Sequence, residues 1–266
     1  MKRSFLTIVI ASALLTAAPA SVFAQAKAAP AATAAKAGSP SQLVLANSTR
    51  ILTTLEARRG EFTKNRAALR TFVASEFDAL FDRDYAARLV LGVHGRGASE
   101  ADINVFADAL ADSLMQRYGS SLLDFNAKLK VRVKSETPLR GGAIVKVSSE
   151  YLRQGAEPVP VDYLMRKVGS EWKAFDVMVE GVSFVQTFRS QFDAPLKRKP
   201  IAQVAADIKA KALYQMALMH MAADNPQPDR AKAIDYLRQL LAQYPQNELA
   251  GKAARHLDAA LNNGMP

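Results

Sequence analysis

From Ser41 to Tyr118 the apolar residues recur at intervals of three and four. From Lys128 to Val179 they alternate or run on without a break. The first period is that of helices and the second that of strands. Leu43, Val44, Leu45, Ile51, Leu52 and Leu55 predict a helix over Ser41–Arg59. Leu69, Phe72, Val73, Phe77, Leu80 and Phe81 predict a second over Ala67–Phe81. A third, Asp84–Leu91, ends at the cluster Gly92, Gly95 and Gly97. Ser99 suits the N-cap of a helix through Phe106, Leu110, Leu114 and Tyr118, which stops near Gly119-Ser120. A short helical stretch through Leu122, Leu123 and Phe125 follows it.

In KLKVRVK, Leu129, Val131 and Val133 face one way, and Lys128, Lys130, Arg132 and Lys134 the other. That is a half-exposed strand. Turns at Pro138–Gly142, Gly155–Pro158 and Gly169-Ser170 separate further strands over Ala143–Leu152, Val159–Val168 and Trp172–Val179. The last strand does not alternate. Only Lys173 and Asp176 are strongly polar in it, so both of its faces are covered. Glu180-Gly181 then releases the chain into a helix over Val182–Phe192.

Helices followed by a strand meander make an α+β fold. The expected form is a curled antiparallel four-strand sheet with helices across its concave face, enclosing an apolar cavity. The helices Phe72–Phe81, Ile103–Tyr118 and Val182–Phe192 carry more large apolar residues than one sheet face needs. That surplus can line a cavity, although periodicity alone favours a filled core. The candidates for the lining are Phe106, Leu110, Leu114, Tyr163, Met165, Phe175, Val177, Val179, Phe184 and Phe188. Part of this set is simply core.

The N-terminus changes the picture. Lys2 and Arg3 precede an apolar run, Phe5–Ala18, and Val22-Phe23-Ala24 suits a signal peptidase. The expectation is a signal peptide over 1–24, cleaved after Ala24, and export. Residues 25–40 are rich in Ala, Pro and Lys and read as a disordered tether. With no cysteine, disulfides and thiolate metal sites are excluded, so the fold relies on its core. Removing Lys2 and Arg3 from 35 basic residues leaves 33 against 25 acidic, a net charge of +8 instead of +10. An exported basic protein meets anionic headgroups or acidic partners rather than nucleic acid. A solvated basic surface explains the same charge.

EWKAFDVMVEGVSFVQTFRSQF resembles the strand-to-helix signature of the periplasmic Mla-type lipid-carrier family, the toluene-tolerance auxiliary components of an ABC transport system. The matching positions are Trp172, Phe175, Asp176, Val177, Glu180, Gly181, Val182, Ser183, Arg189 and Phe192. Upstream, Phe72, Val73, Asp84, Leu91, Gly92, Ala98 and Ser99 match a second segment of that family. His94-Gly95-Arg96 departs from it, standing where the family often has aromatics. The resemblance covers about Ser41 to Leu213. It implies a lipid-binding domain over 41–212 whose cavity holds phospholipid acyl chains, with no catalysis and no cofactor. It implies as partners an inner-membrane ABC transporter complex and an outer-membrane lipoprotein complex, with transient contact at membrane surfaces. Hopanoid-associated relatives share the architecture, so a hopanoid ligand stays open beside phospholipid.

Such a carrier faces a definite energy. Each buried methylene is worth ~0.8 kcal/mol, so on the order of 30 methylenes hold a two-chain lipid in its bilayer by roughly 24 kcal/mol. A cavity near the upper end of usual pocket sizes, ~1,000 Å³, is therefore expected. At the corner, Glu180 stands just before the helix, where a carboxylate suits the free N–H groups, and Ser183 suits the cap.

Residues 213–266 extend past the resemblance. They resemble one tetratricopeptide hairpin and the start of a second, through Leu213, Ala217, His220, Ala233, Leu237 and Pro245, with a long loop at Asp224–Asp229. One repeat cannot bury its own face, so the hairpin docks on the carrier domain, on another copy or on a partner. Tyr214, Met216, Met219 and Met221 are the candidate partner contacts. A non-lipid scaffold acting through these helices is the competing function. An enzyme finds little support: His94, His220 and His256 lack metal spacing, no G-x-S-x-G elbow is present, and no GK[ST] follows Gly95-Arg96-Gly97.

Overall fold

The structure is a computed structural model and describes residues 38–118, 129–153, 155–222 and 228–262. The expected signal peptide, the expected tether up to Ala37, the stretch through Leu122, Leu123 and Phe125, Lys128 and most of the 224–229 loop lie outside the described residues.

Helix α1 (Pro40–Ala57) opens on Ser39, whose hydroxyl accepts from the Gln42 N–H. A short α2 (Arg59–Lys64) follows; no periodicity could show a helix of six residues. Next come α3 (Arg66–Leu80), α4 (Arg83–Leu91) and α5 (Glu100–Tyr118). Ser99 caps α5, accepting from the Asp102 N–H at 3.1 Å.

The sheet is antiparallel, in the order β1 (Lys130–Leu139), β2 (Ile144–Arg153), β3 (Ala156–Val168), β4 (Glu171–Val179) and β5 (Val182–Ser183). The expected four strands are joined by a fifth of two residues. Glu180 and Gly181 both have positive φ, 51° and 82°, and Val179 pairs with Val182. This is a two-residue hairpin of the kind that needs two left-handed residues. It delays the expected helix start from Val182 to Phe184, where α6 (Phe184–Leu196) begins.

Val145, Val147, Ser149 and Tyr151 pair with Met165, Tyr163, Val161 and Val159, so all share the sheet face that meets α1 and α3. Lys130, Arg132 and Lys134 lie on the opposite, exposed face. A bulge after Val133 shifts the register, so β1 extends through the expected turn residue Pro138. Glu136 then shares the face of Val147 and accepts from the Ser41 N–H at 3.0 Å and hydroxyl at 2.6 Å. A carboxylate at that helix end also suits the dipole.

Helix α7 (Ile201–Met221) crosses the expected 212/213 boundary without a break, and the described residues fall in one compact unit. No Gly or Pro interrupts it, and it is apolar on two sides. Val204, Ala205 and Ile208 pack with α4, α5 and α6, while Ala210, Leu213 and Ala217 pack with α8 (Arg230–Gln243) and α9 (Ala250–Asn262). The C-terminal helices therefore dock in cis. Met216 and Met221 are partly buried in that third cluster with Tyr214, whereas Met219 is exposed.

Candidate functional site: an apolar cavity between two cores

The apolar interior is divided. One cluster joins α4, α5, α6 and α7 through Leu91, Ile103, Phe106 and Phe192. Another joins the sheet to α1 and α3 through Val44, Leu80, Val147 and Met165. Between them lies a cavity of about 330 Å³. The sheet side contributes Tyr151, Tyr163, Phe175 and Val177, and α3 contributes Val73, Phe77 and Leu80. The helical side contributes Ala86, Ala87 and Val90 of α4, Ala107, Leu110, Ala111 and Leu114 of α5, and Phe184, Val185 and Phe188 of α6.

The covered faces of β4 now have an explanation. Leu164 pairs with Asp176 and Met165 with Ala174, so Phe175 is the extra residue of a bulge. Such bulges re-aim side chains. Phe175 meets the Tyr85 ring edge-on at 5.2 Å and lines the cavity. Asp176 turns to the start of α6. It accepts from the Val185 N–H at 3.0 Å and the Ser183 hydroxyl at 2.6 Å, and Ser183 accepts from the Gln186 N–H. The helix end is thus held by Asp176 and Ser183. Glu180, expected in that role, is exposed at the hairpin turn.

Most polar groups on the wall are occupied within the protein, although the buried Arg83 Nε has no hydrogen-bond partner. Tyr151 Oη lies 3.0 Å from Ser48 Oγ and 3.1 Å from Tyr163 Oη. Burial first, and Tyr151 next, push the Tyr163 hydroxyl well above its ordinary value, so it stays protonated. Asn47 Nδ2 donates to Glu76 at 2.9 Å. Arg83 lines the cavity and is also partly exposed, which places it at the rim. It bridges Asp78 of α3, at 3.1 Å, and Asp108 of α5. Behind it, desolvation raises the pKa of Asp112, opposed by Lys209 of α7. Among the described residues no cluster of metal-ligating side chains occurs, and no helix is long and apolar enough to cross a membrane.

Of the ten candidates, Leu110, Leu114, Tyr163, Phe175, Val177, Phe184 and Phe188 lie on the cavity wall. Phe106 lies behind it, fully buried and edge-on to Phe192. Met165 is buried under the sheet among α1 and α3 contacts, and Val179 packs against the same cluster. The alanines and the α1 residues Asn47, Ser48 and Ile51 went unforeseen. The cavity is a third of the expected volume, at the lower end of the usual range.

A family model described as MlaC protein matches residues 46–210, more than half of the chain. The chain belongs to the MlaC family. Among curated relatives, the toluene tolerance protein ttg2D of Pseudomonas putida is 29% identical over 165 residues, 61% of this chain and 75% of that protein. The intermembrane phospholipid transport system binding protein MlaC of Haemophilus influenzae is 22% identical over 151 residues, 56% of this chain and 70% of that protein. The solved structure of a phospholipid-binding protein from Ralstonia solanacearum, in complex with a phospholipid, superposes with a TM-score of 0.58 at 20% identity. It covers 65% of this chain and 96% of that one, a likeness of fold. The MlaC match takes in the five helices (α1 and α3 to α6) and three strands (β2 to β4) that line the cavity, apart from the first turns of α1, and ends within α7. Helices α8 and α9 lie outside it.

Proposed function

We propose that the chain is a periplasmic phospholipid carrier. It encloses acyl chains between its two cores and moves the lipid by docking, with no covalent step. It receives or delivers that lipid at an outer-membrane complex and an inner-membrane ABC transporter. The observation that carries this reading is the divided core. A protein of this size ordinarily packs one contiguous core to crystal-like density. Here two apolar clusters face each other across a cavity lined mostly by apolar side chains. The names of the ttg2D, MlaC and Ralstonia relatives support the lipid, and the signal-peptide pattern supports the compartment.

At about 330 Å³ the cavity takes only a fraction of two full chains. Loading therefore moves the α4–α5 wall away from the sheet and α3, a seam that Arg83 crosses by ion pairs. The test is transfer of a fluorescent phospholipid from donor to acceptor vesicles by the mature protein. Turnover that rises with protein concentration supports the carrier. Neither bound lipid nor transfer would leave the scaffold reading in its place.

A further inference from the structure

The cavity lies between two walls, and the C-terminal helices touch both. Helix α3 belongs to the sheet side: Leu80 packs into the sheet cluster, and Leu69, Phe72 and Val73 pack with α1 and α2. Helices α4 and α5 form the other wall, and the first half of α7 packs into their cluster through Val204, Ala205 and Ile208. Lys209 of α7 adds an ion pair to Asp112 of α5 at 3.9 Å. The second half of α7 carries α8, with Ala210, Leu213 and Ala217 against Leu237 and Leu240. Helix α8 is thus fixed to the helical wall. From there it reaches the opposite one. Tyr236 is buried, its ring stacks on His220 at 5.8 Å, and its hydroxyl accepts from Arg70 Nη2 of α3 at 3.0 Å. Arg70 stands one turn before Val73, which lines the cavity, and makes no ion pair among the described residues.

The seam between the walls therefore has two clasps. Arg83 joins Asp78 of α3 to Asp108 of α5. Arg70 joins α3 to α8, about 12 Å from Asp78 along the helix. Desolvation raises the pKa of Asp112, and the charges of Lys209, Arg83 and Arg70 oppose it, so Arg70 stands at the same seam. The Arg83 clasp lies within the family match, whereas the other depends on α8, outside it. We infer that α8 is a strap across this seam, which holds α3 to the helical wall through Tyr236 and Arg70 and so slows lipid entry and release; this rests on the carrier reading, in which loading parts the two walls. Passage of a lipid must break the Tyr236–Arg70 bond, or carry α8 away with α3 against the packing of Leu237 and Leu240.

The experiment measures release of a fluorescent phospholipid from the loaded mature full chain into excess acceptor vesicles. Y236F removes one hydroxyl and keeps the ring. It is expected to release lipid about tenfold faster than the wild type, the effect of one hydrogen bond to a charged group. R70Q matches it, and the double variant is no faster than either, because all three lose the same bond. The chain has no cysteine, so R70C and Y236C together can be joined by a cleavable bis-methanethiosulfonate linker. Linked, the chain releases lipid more slowly than the wild type, and reduction brings it to the fast rate of Y236F. If the wild type transfers lipid and Y236F releases it no faster, the strap is overturned and the carrier stands. Release untouched by the linker has the same meaning. A wild type that takes up no lipid overturns the carrier reading, and the strap falls with it.

Discussion

Ala111 gives the sharpest handle on the cavity. It lies on α5, one turn after Ala107 and between Leu110 and Leu114, and all four line the cavity. Ala111→Phe adds about six carbons on that wall, and at ~0.8 kcal/mol per methylene they displace roughly 5 kcal/mol of lipid burial. That is more than a thousandfold in affinity at about 1.4 kcal/mol per decade. The fold should bear the change. Phe costs about 0.5 kcal/mol against Ala in helix propensity, while burying its ring in existing space returns about 1.5–3 kcal/mol. The assays are phospholipid-to-protein stoichiometry after exposure to vesicles, and thermal unfolding of the delipidated protein. The expected result is loss of bound lipid with an unchanged or raised Tm. A variant that keeps wild-type stoichiometry would refute the assignment of this space to lipid. A variant that unfolds would show the space to be already filled.

Phe106→Ala makes the opposite test. Its ring lies behind the cavity wall, so about 3–5 kcal/mol of stability is lost while lipid per folded molecule is unchanged in native mass spectra. Glu150 reports on the outer sheet face. Its hydrogen bond from Arg132 holds the carboxyl below the ordinary glutamate value of 4.5, against desolvation, and Lys134 adds attraction. The stabilisation is present above pH 4.5 and lost as pH falls through the lowered value. Glu150→Gln is therefore destabilised at pH 7, and its gap from wild type narrows below pH 4.5 in denaturant titrations; a gap independent of pH contradicts the pairing. Reversing Lys130 and Lys134 to Glu is expected to slow vesicle transfer with bound lipid unchanged, and unaffected transfer means that this face is only solvated.

Much of the scaffold is legible in the chain because each element carries its own period. The alternation in KLKVRVK and the Gly169-Ser170 turn fix strands and their order locally. What escaped has a physical reason in each case. The Phe175 bulge breaks the alternation that sequence reading depends on, so an apolar run looks like a strand covered on both faces. Glu180 looks like a cap because it precedes a helix, but the cap is built by Asp176, which only the bulge and hairpin bring there. Large apolar side chains mark cavity candidates in a sequence, but size fills space. Ala86, Ala87, Ala107 and Ala111 leave it open, and the i, i+4 pair on α5 was a signal in plain view. Phe106 and Met165 are large enough to be core, and core they are. The α7 helix crosses the expected boundary because two apolar stripes on one helix read, in sequence, as two helices.

The most direct measurement is native mass spectrometry of the mature protein purified from its own periplasm, with the bound species identified by fragmentation. The carrier account predicts one two-chain phospholipid per chain. A bare chain that also takes no lipid from vesicles would contradict it, and the space between the two cores would then need another occupant.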